Sequence, residues 1–148
     1  MRTKTTNYII FECLSRSANE AFARGAVACF AAQLDPTLEE LGDIKTAVSE
    51  AVTNATVHAY PDTLGKIVLK GRILDDNILE ITVRDWGRGI PDVEKARQPL
   101  YTTGGEERSG MGFTIMESFM DQLRVVSHEG QGTKVVMRRR IARRNGGR

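Results

Sequence analysis

Glu50 and Asn54 are spaced so that their side chains could act on one ligand. Four residues apart on a helix, a carboxylate and an amide project from the same face, one turn from each other. The amide oxygen suits Mg²⁺ as a ligand, and the carboxylate suits removal of a proton from an attacking hydroxyl. Ala47 and Ala51 beside the pair leave room for a ligand. A solvated helix face has the same pattern, so the pair alone admits both interpretations.

A second group of chemically useful residues is the stretch Asp85-Trp-Gly-Arg-Gly-Ile90. The aspartate stands where a predicted strand ends, and Gly87 and Gly89 allow the backbone to turn tightly and approach a ligand. A carboxylate there can accept a hydrogen bond from the exocyclic amine of a purine. An ordinary tight turn that begins with aspartate explains the same residues.

The third group, Arg108-Ser-Gly-Met-Gly112, stands directly before a predicted helix. Glycines and the free amides of a helix N-terminus form an anion site, and the guanidinium of Arg108 suits phosphate. A flexible helix start with one surface arginine is the alternative. Each of the three groups stands at the end of a predicted element, where one nucleotide could reach them all, and this order favours a nucleotide site.

The rest of the sequence predicts the elements that must position these groups. Two capping boxes, Ser17–Glu20 and Thr37–Glu40, predict the starts of two helices. The first helix should end at Asp35-Pro36, and the second, which carries Glu50 and Asn54, near His58–Tyr60. The predicted strands are Asn7–Leu14, Lys66–Leu74, Ile78–Asp85, Leu123–His128 and Thr133–Arg140, with turns at Asp75–Asn77 and Glu129–Gly132 and a short helix over Met111–Gln122.

The segment from Trp86 to Gly110 has no sustained apolar periodicity, and a loop of this length is typical of a functional lid. The predicted order is therefore β-α-α-β-β-lid-α-β-β. It favours an α/β (α+β) two-layer sandwich with a mixed, largely antiparallel sheet and helices on one face. We expect one domain over residues 1–140 and a disordered basic tail over residues 141–148.

The composition excludes several classes of protein. The 148 residues carry a net charge of +2, and because Arg138–Arg148 includes six arginines and no acid, the first 137 residues sum to about −4. No run approaches the roughly 18 apolar residues of a membrane span, and the N-terminus lacks the pattern of a signal peptide. We expect a cytoplasmic protein with no membrane contact. Nucleic-acid binding by the basic tail is a weaker hypothesis, which predicts strong salt dependence.

The three groups together resemble the nucleotide site of the Bergerat-type family shared by gyrase, Hsp90, histidine kinases and MutL. Longer strings resemble the anti-sigma F factors of spore-forming bacteria, a family of serine kinases also called stage II sporulation protein AB. The strings are Leu34–Thr37, Ala47–Asn54, Arg84-Asp85, Ala96–Leu100 and Arg108–Glu117. They span most of the chain between Leu34 and Asp121, which makes them more specific than the short motifs.

The resemblance implies a role for each matched residue, with Mg-ATP as the bound nucleotide. Glu50 would be the general base, Asn54 the Mg²⁺ ligand and Asp85 the adenine anchor, while Arg108 would reach the γ-phosphate. The other implied nucleotide-binding residues are Gly87, Gly89 and Ile90 beneath the base, Thr102 and Thr103 in the lid, Ser109, Gly110, Met111 and Gly112 at the phosphates, and Thr133 near the adenine.

The resemblance also implies partners: a sporulation sigma factor that is held inactive, an anti-anti-sigma factor that is phosphorylated on serine, and a second copy of the chain in a homodimer. Three departures from the family pattern are Ala59 in place of glycine, Trp86 with Arg88 in the aspartate turn, and the altered lid Thr102–Glu107. An ATP-gated sigma-binding module without kinase activity is the main alternative. A histidine kinase catalytic domain fits poorly, because the 148 residues leave no room for an upstream dimerisation helix pair with a phosphoacceptor histidine.

Overall fold

A five-stranded sheet forms one layer of the protein. The structure is a computed structural model, and it describes residues 3–98 and 112–143. The strands are β1 Thr5–Leu14, β2 Lys66–Leu74, β3 Ile78–Asp85, β4 Gln122–His128 and β5 Gly132–Arg140. Their order in the sheet is β1-β2-β3-β5-β4. Every pairing among them is antiparallel, so the described residues contain no parallel part of the mixed sheet that the sequence predicted.

The hairpin β2–β3 begins and ends at the predicted residues. Its turn places Asp76 and Asn77 at φ values of 69° and 62°. Aspartate and asparagine tolerate this left-handed region better than other non-glycine residues, which explains why they stand at the turn. The hairpin fixes β3 at the centre of the sheet, and Asp85 therefore stands at the end of a central strand.

The described helical elements are two long helices, one shorter helix and one single turn. The helices are α1 Asn19–Ala31, α2 Leu38–Thr53, the single turn α3 Val93–Ala96 and α4 Gly112–Phe119. A short 3-10 turn continues α1 to Leu34, and Asp35 then leaves the helix at φ 55°, as the following proline predicted. The helix α4 ends three residues earlier than predicted, because Asp121 already bonds to the backbone of β5. No helix among these described elements is long and apolar enough to cross a membrane.

The two predicted capping boxes have different outcomes. At α2 the box is complete: Glu40 N donates to Thr37 Oγ1 at 2.9 Å, and Thr37 N donates to Glu40 Oε1 at 2.8 Å. At α1 the prediction was wrong, because no side chain caps the helix. The carboxylate of Glu20 instead bonds to Arg24 and to Ser49 on α2. The carboxylate of Glu20 is therefore held by Ser49 of α2 and does not cap the start of its own helix.

The core lies between the helices and one face of the sheet. Alternate residues of the strands point into it, including Leu69, Ile81 and Met137, all fully buried, and they meet Ile44 and Val48 of α2. The packed fold continues past Arg140, because Ile141 is 1% exposed and its backbone N–H donates to Asn77 O at 2.9 Å.

The other sheet face carries no helix among the described elements, and it is basic. Its centre is Glu80, which is 6% exposed and lies between two arginines. Arg72 Nε donates to Glu80 Oε1 at 2.6 Å and Arg138 Nε donates to Oε2 at 2.8 Å. Burial alone would raise the pKa of Glu80, but these hydrogen bonds and charges outweigh it and lower the pKa. The triad ties β2, β3 and β5 together.

Candidate functional site

A cavity of about 490 Å³ opens between the C-terminal end of α2, the turn after β3 and the first turn of α4. This volume is within the usual range for a small-ligand site. Its described lining residues are Ala51, Asn54, Ala55, His58, Ala59, Val83, Asp85, Arg88, Gly89, Ile90, Pro91, Ala96, Gly112, Phe113, Glu129, Gly130, Thr133 and Val135. Small and apolar side chains dominate this lining, and a few polar groups converge on it.

The floor of the cavity is shaped by a change of helix type at Asn54. The residues Asn54–His58 form a π turn, and Ala59 N donates to Asn54 O at 3.2 Å, five residues back. Such π turns are rare and often occur at functional sites. The wider turn leaves the carbonyl of Ala59 to accept a bond from Arg88 N at 3.0 Å, which joins α2 to the aspartate turn.

Glu50 and Asn54 are half-buried and face the start of α4, so they do not form the solvated helix face that was the alternative. A β-carbon built on Gly112 would lie 3.3 Å from Asn54 Nδ2 and 3.4 Å from both Asn54 Oδ1 and Glu50 Oε1. The amide and the carboxylate therefore converge on one point above Gly112. Only glycine leaves this space open without moving a neighbour.

Asp85 is 5% exposed at the other end of the cavity. Its Oδ1 accepts hydrogen bonds from Gly87 N at 2.9 Å and Thr133 N at 3.2 Å. Both bonds end on the same oxygen, so Oδ2 is the acceptor that remains for a ligand. Burial raises the pKa of Asp85, and the two backbone N–H groups and Arg84 offset only part of this effect.

Two glycines hold the aspartate turn against its neighbours. A β-carbon on Gly87 would lie 2.3 Å from Ala59 O, so a side chain there would break the contact between the turn and α2. Gly89 has φ 78°, and a β-carbon there would lie 2.3 Å from His128 O. Both positions therefore require glycine for reasons of space, and the second also for its backbone conformation.

Two residues that the sequence did not single out complete the site. Tyr60 Oη accepts a bond from Trp86 N at 2.7 Å and donates to Lys66 O at 2.8 Å, which fixes the start of the aspartate turn. Ser127 on β4 bonds to Ile90 N at 2.7 Å. Neither residue stands in a recognisable motif, and only strand register brings Ser127 to Ile90 and Thr133, which line the cavity. The ring of Trp86 lies under Lys66 Nζ at 4.5 Å.

The structure brings most of the predicted residues together. Glu50, Asn54, Asp85, Gly87, Gly89, Ile90, Gly112 and Thr133 all line the cavity or directly support its walls. The departure Ala59 is 8% exposed on the cavity wall, and its backbone carbonyl accepts a bond from the aspartate turn. Thr102, Thr103, Arg108, Ser109, Gly110 and Met111 lie outside the described residues, as does the lid beyond Gln98.

A metal site would need oxygen ligands, and the described residues offer few. They contain no group of three or more histidine, cysteine, aspartate or glutamate side chains that could hold a metal ion. The fold aims two oxygen donors at the open space beside Gly112, the amide oxygen of Asn54 and the carboxylate of Glu50. This set suits Mg²⁺, which usually keeps several waters and takes one or two protein ligands together with phosphate oxygens.

Comparisons with known proteins find relatives over most of the chain. Residues 14–139 match the model of the family described as histidine kinase-like ATPase domain. The anti-sigma F factor of Caldanaerobacter subterraneus subsp. tengcongensis is 58% identical over 93% of this chain and 96% of its own length. The anti-sigma F factor of Geobacillus kaustophilus is 57% identical over 87% of this chain and 89% of its own.

A solved structure supports the fold. The RsbU and RsbW domains of a Mycobacterium tuberculosis protein match with a TM-score of 0.69 and 21% identity. The match covers 93% of this chain and 33% of that one. At this identity the likeness bears on the fold alone.

Proposed function

The chain belongs to the histidine kinase-like ATPase domain family and to the anti-sigma F factors, and from this premise we propose that it is an ATP-dependent protein serine kinase that also binds and inhibits a sigma factor. The observation that carries the proposal is the layout of the cavity. A buried carboxylate, Asp85, stands at one end, and the pair Glu50 and Asn54 converges on Gly112 at the other. A base at the first end and phosphates at the second would fill the cavity in this orientation.

Asp85 supports binding of the base, because Oδ2 can accept a hydrogen bond from the exocyclic amine of adenine. Thr133, its direct partner across the ladder between β3 and β5, lies beside it. The N-terminus of α4 supports the phosphate end, because the free N–H groups of a helix start attract anions. The predicted phosphate-binding stretch Arg108–Met111 directly precedes this helix in the sequence.

In the proposed reaction Glu50 accepts the proton of a serine hydroxyl on the substrate protein. The serine oxygen forms a bond to the γ-phosphorus, the bond from this phosphorus to the β–γ bridging oxygen breaks, and the electron pair leaves with ADP. Asn54 would hold Mg²⁺ through its amide oxygen, and the ion neutralises phosphate charge when bound. Arg108 remains the proposed contact to the γ-phosphate.

The partners are proposed from the family. Anti-sigma F relatives at more than half identity over nearly the whole chain support a sporulation sigma factor as the inhibited partner. An anti-anti-sigma factor would be the protein phosphorylated on serine. We also propose a homodimer in the cytoplasm, with no direct role for nucleic acid or membrane.

The test is transfer of labelled γ-phosphate from Mg-ATP to a purified anti-anti-sigma protein. Glu50→Gln should keep ATP binding and lose transfer, by about a hundredfold or more, because the amide cannot take the proton. Asn54→Ala should lose transfer and weaken binding of Mg-ATP. Glu39→Gln, an exposed glutamate on the same helix, is the matched control and should transfer at the wild-type rate.

Each outcome of this assay has a definite meaning. Transfer by Glu50→Gln at nearly the wild-type rate would refute the role of Glu50. A wild-type protein that binds ATP and a sigma factor but transfers no phosphate would be the ATP-gated binding module instead.

A further inference from the structure

The short helix α4 is held against α2 at both of its ends. At its first residue, Gly112, the carboxylate and the amide of the α2 pair converge. At its last residue, Phe119 O accepts a hydrogen bond from Arg139 Nη1 at 2.6 Å. The same nitrogen donates to Asp43 Oδ2 of α2 at 2.9 Å. Arg139 therefore joins the far end of α4 to the first half of α2.

The two points of attachment have the same spacing on both helices. Asp43 precedes Glu50 by seven residues on α2, and Gly112 precedes Phe119 by seven residues on α4. Seven residues are about two turns, so the two members of each pair lie on one face of their helix, about 10 Å apart along its axis. The helices therefore run antiparallel in one register, and Ala47, in the middle of this face of α2, is fully buried.

Arginine suits the end of α4 for two physical reasons. The last carbonyl groups of a helix have no partner within it, and a nearby cation also interacts favourably with the helix dipole. The carboxylate of Asp43 fixes the guanidinium in this place, since the two side chains are 18% and 23% exposed. A helix of eight residues is not stable in isolation, so such contacts decide where α4 lies.

We propose that Arg139 is a positioning residue for the phosphate end of the site, because it sets the register of α4 along α2 and so keeps Gly112 beside Glu50 and Asn54. The inference rests on the proposed kinase function and gives a role to one arginine of the basic C-terminal segment 138–148. A slide of the helix at Phe119 moves Gly112 by the same distance, since a helix moves as a unit. A misplacement of about 1 Å can lower a reaction rate by about a hundredfold.

The base end of the site does not depend on this register. Asp85 ends the central strand β3, and its two backbone donors belong to the aspartate turn and to β5. Loss of the Arg139 contacts should therefore disturb the phosphates of a bound nucleotide and leave its base in place.

The experiment compares the full-length wild type with Arg139→Ala in two assays. The first is calorimetric titration with Mg-ATP and with AMP, which keeps the base and a single phosphate. The second is single-turnover transfer of labelled phosphate to the anti-anti-sigma protein at saturating ATP. Arg139→Ala should weaken ATP binding about three- to tenfold, change AMP binding less than about twofold, and lower the transfer rate about tenfold or more. Arg139→Lys keeps a cation with N–H donors and should restore the affinity ratio and the rate to within about threefold of the wild type.

A merely destabilising effect is separated by the neighbouring arginine. Arg138 stands on the same strand, but its side chain lies on the other face of the sheet and bonds to Glu80. Arg138→Ala is therefore the matched control, which should unfold earlier in urea and still keep the wild-type affinity ratio and transfer rate. If Arg139→Ala does not fold, Asp43→Asn takes its place, because it weakens the hold on the guanidinium at nearly constant volume.

The inference and the proposed function fail in different ways. A wild-type chain that binds neither nucleotide would overturn both. A wild-type chain that binds ATP but transfers no phosphate would overturn the kinase proposal, and the ratio of ATP to AMP affinity would then decide the role of Arg139. A wild-type chain that transfers phosphate would leave the kinase proposal standing, and an unchanged ratio and rate in Arg139→Ala, or equal losses in Arg138→Ala, would overturn the role of Arg139.

Discussion

Replacing Asp85 by asparagine should reverse the hydrogen-bonding pattern of the base pocket while leaving its shape unchanged. The two backbone donors, Gly87 N and Thr133 N, both point at Oδ1. They would hold the amide oxygen of the new side chain in that position. The amide NH₂ would then occupy the place of Oδ2 and face the ligand. An acceptor for adenine becomes a donor, which the 6-amino group of adenine opposes.

The magnitude follows from the bond that is lost. A hydrogen bond to a charged group contributes about 1.5 to 3 kcal/mol, so Asp85→Asn should weaken ATP binding by roughly 10- to 150-fold. ITP, the analogue of ATP whose base is hypoxanthine, carries an oxygen at position 6. The new NH₂ group can donate a hydrogen bond to this oxygen. We expect calorimetric titration to find the ATP-to-ITP preference reversed. Asp62→Asn, an exposed aspartate on a turn, is the control and should bind both nucleotides as the wild type does.

The same substitution makes a prediction for stability. Burial raises the pKa of Asp85 above its value in the unfolded chain. At a pH above this raised pKa, the buried carboxylate is ionised and lowers the stability of the folded state. As the pH falls through the raised pKa, the carboxyl group takes up a proton and the folded state becomes more stable. A neutral asparagine removes this cost. Without nucleotide, Asp85→Asn should therefore unfold in urea at pH 7 no earlier than the wild type. Unchanged ATP affinity, or a clear loss of stability without nucleotide, would refute the reasoning.

Two further predictions concern the phosphate end and the sheet. Gly112→Ala places a β-carbon 3.3 Å from the Asn54 amide and should displace that amide. The rate of phosphate transfer should therefore fall by roughly tenfold or more in single-turnover kinetics. Transfer at the wild-type rate would contradict this prediction. Arg72→Ala leaves the buried Glu80 with one arginine, and it should lower the free energy of unfolding at pH 7 by about 1 to 3 kcal/mol in urea. The pKa of Glu80 is lowered in the folded state, so the triad stabilises the fold fully above the pKa of the unfolded state, and this stability is lost as the pH falls through the pKa of the folded state. Wild type and Arg72→Ala should therefore have similar free energies of unfolding in acid. A difference that persists in acid would contradict this account.

The parts of the structure that could be predicted from the sequence depend on local chemistry. The hairpin β2–β3 and the capped start of α2 are set by neighbours within a few residues, and both have the predicted bounds. The pair on α2 could be predicted for the same reason, because helical spacing alone places Glu50 beside Asn54.

The parts that could not be predicted depend on contacts between distant residues. The carboxylate of Glu20 bonds to Ser49, 29 residues away in the chain, and does not cap α1 as the sequence predicted. Ser127 reaches Ile90, 37 residues away, only because β4 pairs with β5 in one register. A shift of that register by one residue would turn the hydroxyl to the other face of the sheet. No motif marks such a residue in advance.

The π turn at the end of α2 has a consequence for how the chain can change length. It holds one residue more per turn than an α-helix, so deletion of one residue between positions 55 and 58 would restore a regular helix. A π turn and an α turn each close one circuit of the helix, so the residues after the deletion would keep their orientation relative to α2. The carbonyl of Ala59 would then still meet Arg88 N, and the aspartate turn would keep its attachment to the helix that carries Glu50. Relatives that keep this site should therefore tolerate a length difference of one residue along this segment.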